Sequence, residues 1–261
     1  MNQSKKAVAL ESRLRHCTNV ITIGVRPGFS DYSEEERSLI INAKKIYYPS
    51  SFYADLFAAM GKKIFPSVHT YRFAQDKIKQ TALFKLLKIP HPATIIFYGK
   101  KSREKILSCF NFPFIGKIPR GSALGRGVFL IHNQKELEEY GCLTKVLYIQ
   151  EYLLIDRDIR AVIIGDRVVH AYWRINPPGE FRSNVALGAD IFFEHIPEKA
   201  LALALDTARR CGWNDVGIDV CESDNRYYVL EANMKYGRAG FKKAGIDYSR
   251  LMEAMICNGE I

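Results

Sequence analysis

Near the end of the chain, Glu231 and Asn233 stand two residues apart in the run VGIDVCESDNRYYVLEAN, residues 216–233. Residues two apart on a strand project from one face. Asp219 stands in the first arm of the same run. Packing Ile218 with Leu230 and Val220 with Tyr228 leaves Ser223, Asp224 and Asn225 as a three-residue loop and sets Asp219 opposite Val229. In that register Asp219 shares a face with Glu231 and Asn233; a two-residue loop turns it to the other face. Two carboxylates and an amide form an all-oxygen set suited to Mg²⁺ or Mn²⁺, with positions left for phosphate oxygens and water. A solvated polar face is the competing reading.

A second candidate is residues 117–127, KIPRGSALGRG. Gly121, Gly125 and Gly127 let the backbone turn tightly and present amides to phosphate oxygens. Lys117, Arg120 and Arg126 add positive charge. The spacing is neither GxxxxGK[ST] nor GxGxxG, so a basic hairpin turn without a ligand stays open. A third candidate is the set Arg160, Arg174 and Arg182, joined by Asn184. Guanidinium groups bind carboxylates or phosphates bidentately. A fourth is Glu151, ahead of Asp158; a carboxylate at a strand end can bind ribose hydroxyls, or form an ordinary salt bridge. The six histidines show no HxxxH or HxH spacing and read as structural or surface residues.

These residues need strands and helices to hold them. Residues 113–118 and 127–131 read as strands around the glycine-rich loop. Residues 146–154, 159–164 and 167–174 are further strands, the last two joined at Gly165-Asp166, a tight hairpin signal. The hairpin 216–233 follows a helix at 198–210 that Gly212 ends. An amphipathic helix spans 76–87, stopped by Pro90 and Pro92, and a strand follows at 93–97. A last helix covers 249–257. Upstream, residues 1–16 are basic and read as the start of a helix. Residues 19–25 and 45–48 are strand-like. Ser33 with Glu36 forms a capping box for a helix between them. Strand, helix, strand order makes a small α/β unit, with a boundary near residue 72.

The 261 residues suffice for one large domain or two modest ones. Hydrophobic residues make up 48% and charged residues 25%, a globular mixture that excludes collagen-like, disordered and disulfide-scaffold classes. The net charge of +10 favours anionic partners without choosing among them. No apolar run is long enough for a spanning helix, and the N-terminal apolar run, Ala7 to Leu10, is too short for a secretory core. The six cysteines form no CxxC pair and read as reduced thiols of a cytoplasmic protein.

Taken in order, the segments across residues 76–256 resemble the ATP-grasp superfamily, and within it the ribosomal-protein glutamate ligase (RimK-like) branch. The carrying pieces are Asp76-Lys77, GK…GS…GRGV at 116–128, QEY at 150–152, and DIRAVIIGDRVV at 158–169. They continue with R…GEFRSN at 174–184, GIDV at 217–220, EAN at 231–233 and GID at 245–247. The resemblance implies an α+β ATP-grasp fold in which two subdomains grip ATP. A short α/β N-terminal domain over 1–72 would precede an ATP-grasp domain over 73–261. That domain would divide into a central lid subdomain, 73–148, and a C-terminal catalytic subdomain, 149–261.

The resemblance also implies roles. Lys77 and Lys117 would meet the nucleotide phosphates, under a loop carrying Gly121, Ser122, Gly125 and Gly127. Glu151 and Tyr152 would lie at the adenine hinge, with Asp158 on the ribose. Arg182, Ser183 and Asn184 would reach the phosphates and an acyl phosphate, with Arg160 and Arg174 in the catalytic set. Asp219, Glu231 and Asn233 would hold two Mg²⁺ or Mn²⁺ ions.

The implied activity is ATP-dependent carboxylate–amine ligation, adding glutamate or a similar amino acid to a peptide or small-molecule acceptor. No membrane or nucleic-acid partner is implied, and a homo-oligomer is compatible with the sequence. The short N-terminal unit, the two loop arginines and Met234-Lys235-Tyr236-Gly237 after EAN differ from the branch pattern. They bear on which substrates fit. Two alternatives stand beside this reading: a basic nucleic-acid-binding protein, and an ATP-binding scaffold without turnover.

Overall fold

The computed structural model describes residues 6–99, 105–119, 127–177, 180 and 189–261. Its described strands form three sheets. The first is parallel and contains β1 (Ala7–Ala9), β2 (Val20–Thr22), β3 (Lys45–Tyr47) and β4 (Lys63–Phe65), in the order β2-β1-β3-β4. Residues 7–9 are therefore an inner strand rather than the expected helix start. Their short apolar run is buried between two neighbours, and a 3₁₀ turn at Ser12–Leu14 follows. Helix α1 (Glu34–Asn42) begins as read from the sequence. The Glu36 amide donates to Ser33 Oγ at 3.2 Å, and the Ser33 amide donates to Glu36 at 2.9 Å. Helix α2 (Ser51–Ala59), unread in the sequence, crosses between β3 and β4.

The second sheet is antiparallel. It follows α3 (Val68–Phe73) and α4 (Lys77–Leu86), and contains β5 (Thr94–Tyr98), β6 (Phe114–Lys117), β7 (Val128–Ile131) and β8 (Val146–Glu151). Its order is β5-β8-β6-β7. Helix α5 (Gln134–Leu143) packs Leu137 and Tyr140 onto Phe114, Ile131 and Ile149.

The third sheet holds β9 (Arg157–Ile164), β10 (Arg167–Ile175), β11 (Asp190–Phe192), β12 (Asp215–Ser223) and β13 (Arg226–Asn233), in the order β11-β10-β9-β12-β13. Helix α6 (Glu198–Cys211) lays Ala200, Ala204 and Ala208 into the core and stops at Gly212, whose φ of +70° is left-handed. Glycine takes that conformation at low cost. Short α7 (Ala239–Lys243) and α8 (Tyr248–Cys257) close the chain.

The largest apolar cluster joins Leu14, Tyr47 and Phe65 of the N-terminal unit to Ile159, Val162, Val216 and Val229 of the third sheet. First and third sheets thus share one core. All six cysteines are free thiols, three of them buried. Among the described residues no helix is long and apolar enough to cross a membrane.

Candidate functional site

The β12–β13 hairpin does not adopt the register expected from its apolar pairs. Its turn has two residues, Asp224 and Asn225, with φ of +49° and +60°. Mirror-image turns of this kind match the right-handed twist of the flanking strands. Near the turn, Val220 pairs with Val229 and Cys221 with Tyr228. A bulge at Leu230 then shifts the ladder, so that Asp219 pairs with Glu231 and Gly217 with Asn233. The expected three-residue loop and the pairing of Asp219 with Val229 are therefore incorrect. The expected common face survives, because the bulged residue compensates for the shorter turn.

Asp219 also faces Arg160 across the β12–β9 ladder. Arg160 reaches both Asp219 oxygens, Nη2 donating to Oδ2 at 2.9 Å. Arg174 on β10 lies 2.8 Å from the same oxygen through Nη2, and holds Asp158 through Nε at 2.7 Å. All four side chains are buried. Burial pushes the Asp158 carboxyl upward, a push that Asp219 reinforces and Arg174 opposes. Gly217 makes room for this arrangement. A Cβ there would sit 2.5 Å from Tyr236 Cβ and 3.0 Å from Arg160 Cδ.

Glu231 is half-buried beside two lysines. Lys77, in the first turn of α4, places Nζ 3.3 Å from Glu231 Oε2. Asn233 donates its amide N–H to Oε1 at 2.8 Å. Burial disfavours the Glu231 carboxylate, but Lys77, Lys117, Asn233 and Arg160 together hold it well below the usual carboxylate range. Lys117, at the end of β6, is only 8% exposed. Burial lowers its pKa to about 8 against the pull of Glu231. The narrow cleft between the second and third sheets is lined by Lys77, Lys117, Tyr148, Gln150 and Glu231.

A carboxylate offers roughly four lone-pair positions. Glu231 uses two of them here, and Asn233 leaves its Oδ1 without a hydrogen bond among the described residues. Asp219 is more fully occupied, taking three guanidinium contacts. Among the described residues no three His, Cys, Asp or Glu side chains converge as a metal cluster. A divalent ion fits Glu231 and Asn233 first, with one position remaining on Asp219.

Other expected residues lie outside this charged cluster. Glu151 accepts the Ala93 amide at 2.7 Å and returns its own amide to the Ala93 carbonyl at 2.8 Å, so it ties two strands together. Tyr152 is half-buried just past β8, and Gly127 turns with φ of +80°. Gly121, Ser122, Gly125, Arg182, Ser183 and Asn184 lie outside the described residues.

Sequence reading missed a second buried network. Asp215 is fully buried and accepts the Tyr236 hydroxyl at 2.7 Å. Arg13 lies 4.0 Å from Asp215 and donates to the Tyr248 hydroxyl at 3.0 Å and the Met234 carbonyl at 3.2 Å. Its guanidinium carbon sits 4.6 Å from the Tyr236 ring centroid. These groups are far apart in sequence and carry no spacing signal.

Two sheets closing on a buried lysine, a half-buried lysine and the paired carboxylates Asp219 and Glu231 define a protein of the ATP-grasp class. A family profile described as the RimK-like ATP-grasp domain matches residues 74–256, and the chain belongs to that family. A RimK-domain ATP-grasp protein of Sphaerobacter thermophilus shares the fold, with a TM-score of 0.69 at 15% identity over 95% of this chain and 98% of that one. A probable alpha-L-glutamate ligase of Alkalilimnicola ehrlichii is 30% identical over 66% of this chain and 59% of its own length. The ribosomal protein bS6–L-glutamate ligase of Escherichia fergusonii is 28% identical over 69% of this chain and 62% of its own length. The chain thus spans about three fifths of each of these two curated relatives.

Proposed function

We propose that the protein is an ATP-dependent carboxylate–amine ligase working through an acyl phosphate. The observation that carries this reading is Lys117, a lysine buried beside Lys77 and Glu231 in a cleft between two sheets. Burying ammonium groups is costly, and the polyphosphate of ATP would repay that cost. A substrate carboxylate oxygen attacks the γ-phosphorus, the β–γ bridging bond breaks, and ADP leaves. An amine nitrogen then attacks the acyl carbon, loses a proton and expels inorganic phosphate. As in phosphoryl transfer generally, the protein contributes positioning and charge neutralisation.

In this reading Lys77 and Lys117 hold the phosphates under the loop of Gly121, Ser122, Gly125 and Gly127. Glu151 and Tyr152 border the base and ribose, Asp158, expected on the ribose, instead gives both carboxylate oxygens to Arg174, and Arg182, Ser183 and Asn184 meet the transferring phosphoryl group. Arg160 and Arg174 act from behind, fixing the Asp219 carboxylate. Glu231, Asn233 and Asp219 would hold two Mg²⁺ or Mn²⁺ ions, which supply Lewis-acid neutralisation of phosphate charge. Glutamate or a similar amino acid is the amine, as the names of the relatives suggest, and a peptide or small molecule is the acceptor. The chain divides near residue 72 into an N-terminal unit and an ATP-grasp unit, 73–261, itself parted near 148. The setting is cytoplasmic.

Thermal melting with magnesium alone, ATP alone and both tests this proposal. A ligand at a hundredfold excess over its Kd stabilises the native state by about 2.7 kcal/mol. The expected result is a shift that needs both and is lost in Glu231→Gln, together with ADP release when amino acids and acceptor carboxylates are added. A shift without ADP release across a broad panel would indicate a scaffold. No shift at all would overturn the reading.

A further inference from the structure

Asn233 is the last residue of β13, and the chain leaves the sheet behind it, running without regular structure from Met234 to Arg238. A candidate metal ligand at a strand end is only as well placed as the backbone on either side of it. On one side the hold comes from α4. Gln80 donates to the Ala232 carbonyl at 2.8 Å and accepts the Ala232 amide at 2.9 Å, so this buried side chain bonds the outer edge of β13. On the other side the hold comes from the N-terminal unit. Arg13, in the 3₁₀ turn that follows β1, donates through Nη1 to the Met234 carbonyl at 3.2 Å.

The same guanidinium meets the residues that follow. It donates through Nε to the Tyr248 hydroxyl at 3.0 Å, and its carbon sits 4.6 Å from the Tyr236 ring centroid. Tyr236 is itself tied at two points. Its hydroxyl donates to Asp215 at 2.7 Å, and its carbonyl accepts Arg160 Nη1 at 3.1 Å. Arg160 also grips Asp219, the pairing partner of Glu231. Residues 234–236 therefore run from Asn233 to the guanidinium that fixes Asp219, and Arg13 clamps them from the N-terminal unit. Arginine suits this place because its planar fork serves several acceptors at fixed angles and also stacks on aromatic faces, whereas a lysine ammonium is a single point charge.

We infer that Arg13 is a positioning residue for the metal set: by holding the Met234 carbonyl and the Tyr236 ring, it fixes the Asn233 end of β13 relative to the Asp219–Arg160 pair. The inference rests on the ligase reading for the metal and the nucleotide, and on these contacts for the rest. Plain cohesion between the two units is the competing role. Cohesion predicts a lower Tm when Arg13 is lost, with unaltered binding by the protein that stays folded. Positioning predicts that the folded protein itself gains less from the metal.

The test is calorimetric titration of the full chain with AMP-PNP, with and without Mn²⁺, well below the Tm of every variant. The ratio of the two Kd values is the gain that the metal supplies. Losing a residue that orients a metal ligand costs about tenfold or more in metal affinity. Arg13→Met should shrink the gain by about that factor, while the metal-free Kd stays at the wild-type value because Lys77 and Lys117 are untouched. Arg13→Lys keeps a cation near Asp215 but lacks the fork, and it carries the same comparison if Arg13→Met does not fold. Tyr47→Phe is the control for cohesion. It removes the buried bond from the Tyr47 hydroxyl to the Ile261 carbonyl, 2.9 Å long, which joins the same two units away from residues 234–236. It should lower Tm and leave the gain intact. A wild-type gain in the folded Arg13 variants, or an equal loss in Tyr47→Phe, would overturn the inference. A wild type that binds no AMP-PNP, or gains nothing from Mn²⁺, would overturn the ligase reading and this inference with it.

Discussion

Asp219 stands directly opposite Glu231 across the β12–β13 hairpin because a single residue, Leu230, bulges out of the ladder between them and the turn. Without that bulge the two-residue turn would send the two carboxylates to opposite faces. Four adjacent strands instead present a row of Tyr172, Arg160, Asp219 and Glu231 on one face.

The turn itself offers a direct check on this register. Asn225 occupies left-handed backbone at φ +60°, where an ordinary side chain costs about 1–2 kcal/mol. Asn225→Val should lower stability by about that amount in urea unfolding, and Asn225→Gly should hold or raise it. If Val and Gly behave alike at this position, the two-residue turn is wrong.

Asp219 should matter to folding as much as to chemistry. Its removal leaves Arg160 and Arg174 buried with one carboxylate, Asp158, in place of two. Breaking a buried pair by deleting one partner costs about 3–5 kcal/mol. Asp219→Ala should therefore unfold at markedly lower urea, whereas Glu231→Gln, whose side chain is 27% exposed, should lose ligand response at a smaller cost in stability, the cost of leaving Lys77 and Lys117 without their carboxylate.

Gly217 sets the clearance between Arg160 and Tyr236. Gly217→Ala forces a methyl into a 2.5 Å gap, which overpacking data put at about 1–3 kcal/mol. The same change should weaken the ATP-dependent Tm shift, since Arg160 must move. A variant with wild-type Tm and wild-type shift would contradict the packing described here.

Alkaline stability separates two opposing sets of groups. Burial raises Cys17 to about 11, and Cys211 and Cys221 to about 12. The folded chain therefore keeps these protons where the unfolded chain loses them, and stability falls as pH rises through about 9 toward 12. Lys117 runs the other way. Its folded pKa of about 8 lies below the unfolded value of about 10.4. The folded state then binds fewer protons across that window, so the cost of burying this lysine lifts as pH rises. The stability of wild type minus that of Lys117→Met should climb between about pH 8 and 10. A flat difference would mean that Lys117 is solvated rather than buried.

Much of the site was legible before any coordinates. Periodicity, proline stops and capping residues located α4, the β9–β10 hairpin and α6, because local sterics and hydrogen bonding decide those features within a few residues. The common face of Glu231 and Asn233 followed from alternation along a strand, whereas Asp219 was placed with them through a register that the Leu230 bulge replaces. The family itself followed from the order of short motifs along residues 76–256.

The rest needed the tertiary structure. Residues 7–9 carry too few side chains to declare a strand, and only burial between two parallel neighbours makes them one. The Leu230 bulge trades turn geometry against side-chain packing across two strands, a balance that no local pattern records. Arg13, Asp215, Tyr48 and Tyr248 come from opposite ends of the chain. Nothing in their spacing marks them, because what joins them is the closure of the N-terminal sheet onto the third sheet. Burial then decides their protonation, and burial is a property of the folded chain rather than of any stretch of its sequence.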